Sequence, residues 1–509
     1  MKVAVRLLVV SDVGGAGTRH IGEEAMLEAN LARFRRLIPG VVFTLVSSDP
    51  AWTAAHFGLD TVGTYEFPGD PGADKTRREI LDNLLADAAN SRLEHPTTAA
   101  LARADGLILS GGGNLSSTWP DLLYPRVALM QLARILGKPV VVLGQTIGPR
   151  LRADERLLLG EALSSARFVG VRELPSALVA LGLGVPIERL WYQGDDALFL
   201  DGARNPVEAS DPSRPPTIAV TIDPQIRASS RKLVKALVRQ LRELAEITGA
   251  HLILVPHLYG NESTSGSDLT EAQMLAASLG LPHTVIATGL EPAQVREVTA
   301  KSSLVITSRY HPIVFALDAG IPSIGIYGDE YCRIKLQGGL AHAGLEQWTL
   351  TYDDVAQGGL LKNALELWRA REQVRQRLEA CRSKWRAESC ERWTAIVRAL
   401  DPGVNLPPAD AFKLFGRPLQ EITPALVSAL GAGGRARESE QLASELALKE
   451  AHRRLNVLER KLKPLITVKR YALALLSTLA SMRLWNRKAH EVPDQTVNLL
   501  HQRRHRPVE

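Results

Sequence analysis

The sequence is short of cysteine and of long apolar runs, and each shortage excludes a class of protein. Its three cysteines, Cys332, Cys381 and Cys390, have neither the paired spacing of a zinc site nor the even number of a disulfide framework, which suits a reducing compartment. No window reaches the roughly 18 apolar residues that a membrane-spanning helix needs. The N-terminal run MKVAVRLLVVSDVGGAG lacks a cleavage pattern and is typical of a first strand rather than a secretory signal. We therefore expect a cytoplasmic protein.

Two glycine-rich stretches lack the spacing of the common nucleotide-binding motifs. SDVGGAGTRHIGEEAM does not complete a GxGxxG fingerprint, and SGGGNLSS has neither the lysine nor the spacing of a P-loop. In the second stretch Gly112, Gly113 and Asn114 let the backbone approach a ligand closely, and a tight strand-to-helix turn is the alternative. No cluster of metal-ligating residues is evident in the sequence, so neither a metal nor a cofactor is expected.

The length and the alternation of patterns predict two large domains. A chain of 509 residues is too long for one core, while 45% hydrophobic and 23% charged residues are ordinary for a globular protein. Apolar β-branched runs alternate with helix-length amphipathic segments, which predicts an α/β fold with parallel sheets covered by helices on both faces. We expect two Rossmann-like, doubly wound domains facing each other across a cleft, with ligands bound beyond the carboxyl ends of the strands. The predicted boundaries are residues 1–203, a Pro-rich linker at 204–216, residues 217–400, and a helical extension at 401–509.

The net charge of +6 is concentrated in the C-terminal extension. From residue 453 to the end there are 13 lysines and arginines against four acidic residues, so the rest of the chain is slightly acidic. Residues 435–463 fit a short coiled coil or a single amphipathic helix, which allows self-association. Residues 464–488 fit a helix on the inner face of the plasma membrane, or one packed onto the body or a partner. Basic tails also bind nucleic acid, but aromatic interleaving is absent here, and we expect no nucleic-acid partner.

The octapeptide VITSRYHP places an arginine and a histidine where a buried strand gives way to a helix. Pro312 suits the first helical turn, and Gly320 ends the helix. Arg309, Tyr310 and His311 are therefore expected in the crossover loop, beside the free amides of a helix N-terminus. A guanidinium there fits a carboxylate or phosphate, and an imidazole can give or take a proton near neutral pH. A surface arginine with a capping histidine is the alternative.

Other predicted strand ends also carry polar side chains. Each has a functional and a structural interpretation. The arginines could be further anion contacts or could form salt bridges. The aspartate could be a base, a metal ligand or an anchor of the domain junction. These residues are Gln145 in LGQTIGPR, Arg172 in VGVREL, Asp195 in GDDALFL, Arg227 in TIDPQIR and His257 in VPHLYGN.

Taken in order, these motifs resemble the polysaccharide pyruvyl transferase family. The resemblance spans roughly residues 10–350 and leaves out the extension. The matching stretches are RHIGEEAML, LILSGGGNL, VLGQTIGP, VGVRELPSA, GDDALFL and SRYHPIVFALDAGIPSIGIYGDEYCRIK.

The resemblance implies a fold similar to two-domain GT-B glycosyltransferases and an activity in polysaccharide synthesis of the cell envelope. Members of the family move a pyruvyl group from phosphoenolpyruvate onto two hydroxyls of a sugar, as a cyclic ketal, and release phosphate. The family's Arg-x-His signature maps to Arg309 and His311, with Tyr310 as its variable residue. The sugar belongs to a polysaccharide or a glycolipid, and a lipid-linked acceptor would suit a tail that touches the membrane.

The resemblance also suggests roles for single residues. His311 is the expected general acid toward the enol carbon, and Asp195 the expected base for the acceptor hydroxyl. The donor carries a carboxylate and a phosphate, so Arg172, Arg227 and Lys335 join Arg309 as expected anion contacts. The sequence departs from the family where its Gly-Asp element reads GE in RHIGEE, and where glutamate replaces aspartate in VGVREL.

Two rival functions remain open at this point. A nucleotide-sugar glycosyltransferase of the same architecture would need a carboxylate for the donor ribose, and the candidates Asp329 and Glu330 in GDEYCRIK are ambiguous because cations follow them. A non-catalytic scaffold that recruits partners or membrane is the second rival. The presence of both Arg309 and His311 argues against it.

Overall fold

The computed structural model describes residues 4–13, 18–200, 215–260, 267–281 and 284–401, which belong to one compact unit. The first half of the described chain consists of strands β1 Arg6–Val10, β2 Arg19–His20, β3 Val42–Ser47, β4 Asp60–Gly63, β5 Gly106–Leu109, β6 Gly112–Leu115, β7 Val140–Ile147, β8 Phe168–Val171 and β9 Leu190–Tyr192, and helices α1 Ile21–Leu37, α2 Pro50–Phe57, α3 Asp74–Ala89, α4 Pro96–Arg103, α5 Pro120–Ile135, α6 Ala153–Ser165 and α7 Leu174–Gly182.

The second half begins again with a strand after the predicted linker. It consists of strands β10 Thr217–Thr221, β11 His251–Leu254, β12 Leu258–Tyr259, β13 Val285–Ile286, β14 Leu304–Thr307, β15 Ser323–Tyr327 and β16 Thr349–Thr351, and helices α8 Pro224–Ser229, α9 Arg231–Thr248, α10 Asp268–Leu279, α11 Pro292–Ala300, α12 Tyr310–Ala319, α13 Glu330–Ala341, α14 Tyr352–Ala356, α15 Gly359–Arg369 and α16 Arg371–Leu400.

Two parallel sheets organise these elements. The first has the order β4-β3-β1-β5-β7-β8-β9, with β6 pairing beside β7, and the second has the order β13-β11-β10-β14-β15-β16. In both sheets the chain starts in a middle strand, runs outward to one edge, and then returns to build the other half. This is the doubly wound Rossmann arrangement, so the predicted α/β fold class is confirmed. Ligands bind such sheets where the order reverses, which here is beyond β1 and β5, and beyond β10 and β14.

The sequence explains why these strands are central. The stretches GLIL of β5, VVVLGQTI of β7 and LVIT of β14 are buried at every position, as expected for parallel strands covered on both faces. The helix α9 has its leucines on one face, and the Ser230 side chain caps its first turn by accepting from two backbone amides. Gly320 closes α12 in the left-handed conformation, at φ 76°, as the sequence predicted.

Short contacts connect the two sheet domains. The strand β2 of the first domain pairs antiparallel with β12 of the second, and the Ile21 amide donates to the His257 carbonyl. The long helix α16 ends in the core of the first domain, where Trp393, Ile396 and Leu400 pack with Phe34. The sequence therefore builds two sheets that share a helix and a small ribbon.

The start of one predicted helix differs from the structure. The helix α12 begins at Tyr310 rather than at Pro312, because proline is tolerated anywhere in a first turn, where backbone amides have no helical partner. The predicted linker at 204–216 lies almost entirely outside the described residues, and the extension at 401–509 does so except for its first residue. None of the helices in the described residues combines the length and the apolarity that crossing a membrane requires.

Candidate active site

His311 lies at the centre of a site built by both domains. It occupies the first turn of α12 with 7% of its surface exposed. Its Nδ1 atom lies 4.0 Å from the Glu23 Oε2 atom of α1, and its Nε2 atom lies 3.9 Å from the Asp195 Oδ2 atom. The second domain thus supplies the imidazole, and the first supplies a carboxylate on each side of it.

Gly22 makes this approach feasible. A Cβ atom added there would overlap the imidazole ring of His311, at a separation that real Cβ atoms do not show. The glycine in RHIGEE is therefore needed for the contact between α1 and α12. The sequence reasoning placed Gly22 and Glu23 only as a family element, because nothing in the local pattern indicates a partner almost 300 residues away.

Burial keeps the imidazole of His311 neutral. Desolvation lowers the pKa of His311 to about 3; Glu23 opposes this shift, while Arg172 and Lys335 add to it. Its Nε2 atom has no hydrogen-bond partner among the described residues. A buried polar atom without a partner is uncommon in folded proteins and is expected where a ligand binds.

Arg172 is fully buried and lies beside the histidine. Its Nη1 atom donates to Asp195 at 2.7 Å, and its Nε atom donates to the Thr146 hydroxyl at 2.8 Å and to Glu173 at 3.1 Å. The salt bridge predicted as the structural interpretation is thus present. The Nη2 atom, however, has no partner in the described part of the chain, so the guanidinium keeps one free donor.

Asp195 holds Arg172 in place in this structure, and its expected role as a base stays a prediction. Its Oδ2 atom accepts from Arg172, and its Oδ1 atom accepts from the Ala197 amide at 2.8 Å, at the start of a short 3-10 turn. The Oε2 atom of Glu23 is the second carboxylate oxygen beside His311, at 4.0 Å from its Nδ1 atom.

Lys335 and two tyrosines form the wall next to Arg172. The Lys335 ammonium lies 5.5 Å from the ring centroid of Tyr310, 4.7 Å from that of Tyr331, and 3.2 Å from the Tyr331 hydroxyl. The Arg172 guanidinium also lies over the Tyr310 ring, at 4.4 Å from its centroid. Cations held by aromatic faces keep their charge available to an anion. Within the described residues, Lys335 has no carboxylate within 4.0 Å.

The glycine-rich stretch after β5 contacts the second domain. The Tyr331 hydroxyl donates to the Gly113 carbonyl at 3.1 Å, and a Cβ at Gly113 would overlap that hydroxyl. A Cβ added at Gly112 would lie 3.5 Å from the amide nitrogen of the Asn114 side chain. The Asn114 amide nitrogen is buried and has no partner among the described residues, and the same is true of the Gln145 amide oxygen. These predicted binding residues therefore line a partly unsatisfied polar wall.

Two predicted anion contacts are engaged elsewhere. The Arg309 Nη2 and Nε atoms donate to the Asp268 Oδ1 atom at 2.8 and 3.1 Å, and the Arg227 Nε atom donates to Glu271 at 3.0 Å. Both carboxylates belong to α10, which packs beside these arginines. In this structure the charges of Arg309 and Arg227 are therefore offset. Among the predicted anion contacts within the described residues, Lys335 has no carboxylate within 4.0 Å, and Arg172, although ion-paired, keeps an unpartnered Nη2 donor.

His257 is a further buried histidine that the sequence reasoning left undecided. It is 6% exposed, and neither ring nitrogen has a partner among the described residues. Burial, with a smaller effect of Arg309, lowers its pKa to about 3. Its ring packs on Phe315 of α12 at 5.7 Å between centroids. The second domain thus buries two neutral histidines near one another.

One group of residues near the domain contact has metal-ligand chemistry. Glu24, His56 and Glu291 offer ligand atoms within 4.8 Å of one another. The Arg19 guanidinium, however, donates to both carboxylates, at 2.6 Å to Glu24 and 2.9 Å to Glu291. This group acts as an ion-pair network between α1 and α11.

The sequence matches the family model for polysaccharide pyruvyl transferases over residues 20–330. The chain belongs to this family. The match includes the residues of the site except Tyr331 and Lys335, which lie one and five residues beyond its end. No curated protein sequence matches.

Solved structures show the fold of this polysaccharide pyruvyl transferase family member but not its chemistry. A Listeria monocytogenes protein assigned as a UDP-N-acetylglucosamine 2-epimerase has a TM-score of 0.50 at 12% identity, over 86% of this chain and 99% of its own. The UDP-GlcNAc 2-epimerase of Neisseria meningitidis has a TM-score of 0.47 at 11% identity, over 74% and 94%. A glycosyltransferase of Rickettsia africae has a TM-score of 0.47 at 12% identity, over 78% and 99%. The predicted GT-B-like architecture is confirmed at the level of fold.

Proposed function

We propose that this polysaccharide pyruvyl transferase family member moves a pyruvyl group from phosphoenolpyruvate onto two hydroxyls of one sugar. The product is a cyclic ketal, and phosphate is released. The observation that carries the proposal is the setting of His311: a buried imidazole with an unpartnered Nε2 atom, flanked by carboxylates and by cations that are not fully offset.

The donor is a small dianion, and the wall around His311 suits it. Lys335 supplies an ammonium without a nearby carboxylate among the described residues, and Arg172 supplies the free Nη2 donor. The first turn of α12 adds backbone amides at the carboxyl end of β14. A carboxylate and a phosphate need such groups more than they need apolar walls.

The protonation state of His311 must change when the donor binds. A neutral imidazole cannot protonate the enol carbon, and the unliganded site keeps it neutral. A dianion placed beside the ring would favour the imidazolium form, because an opposite charge at short range raises the pKa of a histidine. Donor binding therefore favours the protonated form of His311, which can then act as the general acid.

The transfer then proceeds in two steps, in which the two sugar hydroxyls attack the same carbon one after the other. His311 gives its proton to the methylene carbon, and the first sugar hydroxyl attacks C2 while Glu23 takes the hydroxyl proton. The C–O bond to phosphate breaks next, and the second hydroxyl attacks the same carbon, which closes the ketal. One hydroxyl proton replaces the one that His311 gave, and the other leaves with phosphate.

The structure gives less support to a nucleotide-sugar donor. The Asp329 carboxylate accepts from the Cys332 amide at 2.7 Å as the cap of α13, and Glu330 pairs with Arg333. Neither of these two carboxylates, which were candidates for a ribose contact, is free in this structure. Pyruvyl transfer to a sugar, including a lipid-linked one held near a membrane by the extension, remains the better-supported function.

The test is an acceptor screen with phosphoenolpyruvate. Purified full-length protein is incubated with the donor and a panel of glycans and lipid-linked sugars, phosphate release is measured, and products are weighed by mass spectrometry. We expect acceptor-dependent phosphate release and an added pyruvyl ketal, both abolished in His311→Gln. His95→Gln, at the start of α4 outside the site, is the matched control and should keep activity. Wild-type turnover in His311→Gln would refute the assigned role.

A further inference from the structure

One buried arginine has no carboxylate within ion-pair distance in the described part of the chain. Arg126 lies on α5, which follows the glycine-rich stretch at the carboxyl end of the first sheet, and it is 7% exposed. Its Nη1 atom donates to the Leu122 carbonyl at 2.8 Å, which turns the guanidinium back toward the N-terminal end of α5. The other fully buried arginines, such as Arg77 with Asp74, are ion-paired.

Arg126 lies close enough to the site to interact with its charges. The carboxylates that attract it are Asp12, Asp121 and Glu23, but none of them is within 4.0 Å of it in the described part of the chain. Glu23 is the residue that faces His311. Arg126 of the first domain is therefore near enough to Glu23 for their charges to interact.

A buried guanidinium without a close anion is costly for the folded protein. Removing a charge from water destabilises the folded state unless a partner or hydrogen bonds offset the loss of hydration. Burial accordingly lowers the pKa of Arg126. Such an arrangement is expected where a ligand supplies the missing negative charge.

The neighbouring segment points to the same conclusion. Asn114, just before α5, is 8% exposed, and its amide nitrogen has no partner among the described residues. Like the guanidinium, an amide NH2 group can only donate. Asn114 thus provides a buried donor without an acceptor among the described residues, six residues before the start of the 16-residue helix that carries Arg126.

We propose that Arg126 is a further substrate-binding residue, which holds a phosphate or carboxylate group from the side of the first domain. This inference rests on the proposed function, since it assumes that an anionic substrate reaches the site. The anion is either part of phosphoenolpyruvate or a phosphate of the acceptor, and the two sources share the same chemistry.

The experiment separates a binding role from a structural one by measuring stability and affinity together. Full-length wild type, Arg126→Met, Arg126→Lys and the control Arg77→Met are compared by thermal unfolding. Binding of phosphoenolpyruvate, inorganic phosphate and N-acetylglucosamine 1-phosphate is measured by calorimetry. We expect Arg126→Met to unfold at the wild-type temperature or above it, and to bind the anion roughly tenfold to a hundredfold more weakly, the usual loss for a charged hydrogen bond.

Two variants serve as controls for stability and for charge. Arg77→Met should unfold at a lower temperature and bind anions as wild type does, because it removes a buried guanidinium that pairs with Asp74 and donates to the Pro68 and Asp70 carbonyls. Arg126→Lys keeps the charge without the fork, so its affinity should be intermediate. If Arg126→Met does not fold, Arg126→Lys decides: wild-type affinity for all probes overturns the proposal.

The remaining outcomes distinguish this inference from the proposed function. A loss confined to the sugar phosphate supports an acceptor contact, and a loss for phosphoenolpyruvate supports a donor contact. Equal anion affinity in wild type and Arg126→Met overturns the inference while leaving the transferase proposal in place. Weaker anion binding in the variant, in a protein that forms no ketal product, would keep the inference and refute the transferase proposal. If no probe binds wild type, both fail.

Discussion

The two neutral histidines of the second domain predict a specific sensitivity to acid. His311 and His257 both have pKa values lowered to about 3 by burial, from an ordinary value of 6.5. Protons therefore bind more tightly to these side chains in the unfolded chain than in the folded one. Their contribution to stability is fully present above about pH 6.5 and is lost progressively as the pH falls toward 3.

The size of the effect follows from the interval between the two pKa values. Each pH unit between them is worth about 1.4 kcal/mol per histidine, so lowering the pH from near 7 to near 5 costs about 2 kcal/mol for each. Both histidines together should cost the protein about 4 kcal/mol. Glu28 acts in the opposite direction, because burial raises its pKa to about 7 and its contribution to stability is lost as the pH rises.

The assay compares variants so that other titrating groups cancel. Urea unfolding of wild type, His257→Gln and His311→Gln is measured near pH 7 and near pH 5, and the loss of unfolding free energy is compared. Each variant should lose about 2 kcal/mol less than wild type over this interval, because glutamine does not titrate. If the variants lose as much as wild type, the two rings are not buried in neutral form and the described environment of His311 is wrong.

Three further perturbations test the site. Gly22→Ala should lower kcat about a hundredfold in the acceptor assay, since its Cβ would displace His311 by roughly 1 Å. Binding of phosphoenolpyruvate near pH 7 should take up about one proton per site in wild type and none in His311→Gln, seen as buffer-dependent heat in calorimetry. Tyr331→Phe should lower the free energy of unfolding by about 1 kcal/mol in urea, because it removes the hydrogen bond to the Gly113 carbonyl.

Each of these has a clear contrary outcome. Full turnover in Gly22→Ala would show that the histidine is not positioned by the glycine. Binding heat that is the same in all buffers would mean that the donor leaves His311 unprotonated, and another acid would then be needed. Unchanged stability of Tyr331→Phe would show that water replaces the contact between the domains.

The sequence was most informative where a local pattern decides the structure. The apolar run in VITSRYHP and the glycine at position 320 together defined β14, the turn after it and the end of α12. Because the carboxyl ends of parallel strands meet at one edge of a sheet, the sequence alone places the polar residues at those ends near a site. The helix start was displaced by two residues, since first-turn amides impose little on the sequence.

Pairings across long sequence separations could not be read from such patterns. Arg309 was expected to be free for an anion, but Asp268, 41 positions earlier, accepts from it. Glu23 was not proposed as a reacting group, although it faces His311. A pattern shows which residues leave a strand end, while the charge that faces them depends on how α10 and α1 pack, and that is set by the whole core.

Both domains supply residues to the site, so activity depends on the contacts that hold the domains together. The imidazole belongs to the second domain, and both carboxylates beside it belong to the first. The β2–β12 ribbon on one side and the Tyr331–Gly113 hydrogen bond on another hold these halves together. A change that separates the domains by even one hydrogen-bond length would leave both cores intact and still remove Glu23 from His311. Loss of activity without loss of secondary structure is therefore the expected signature of any variant that weakens these contacts.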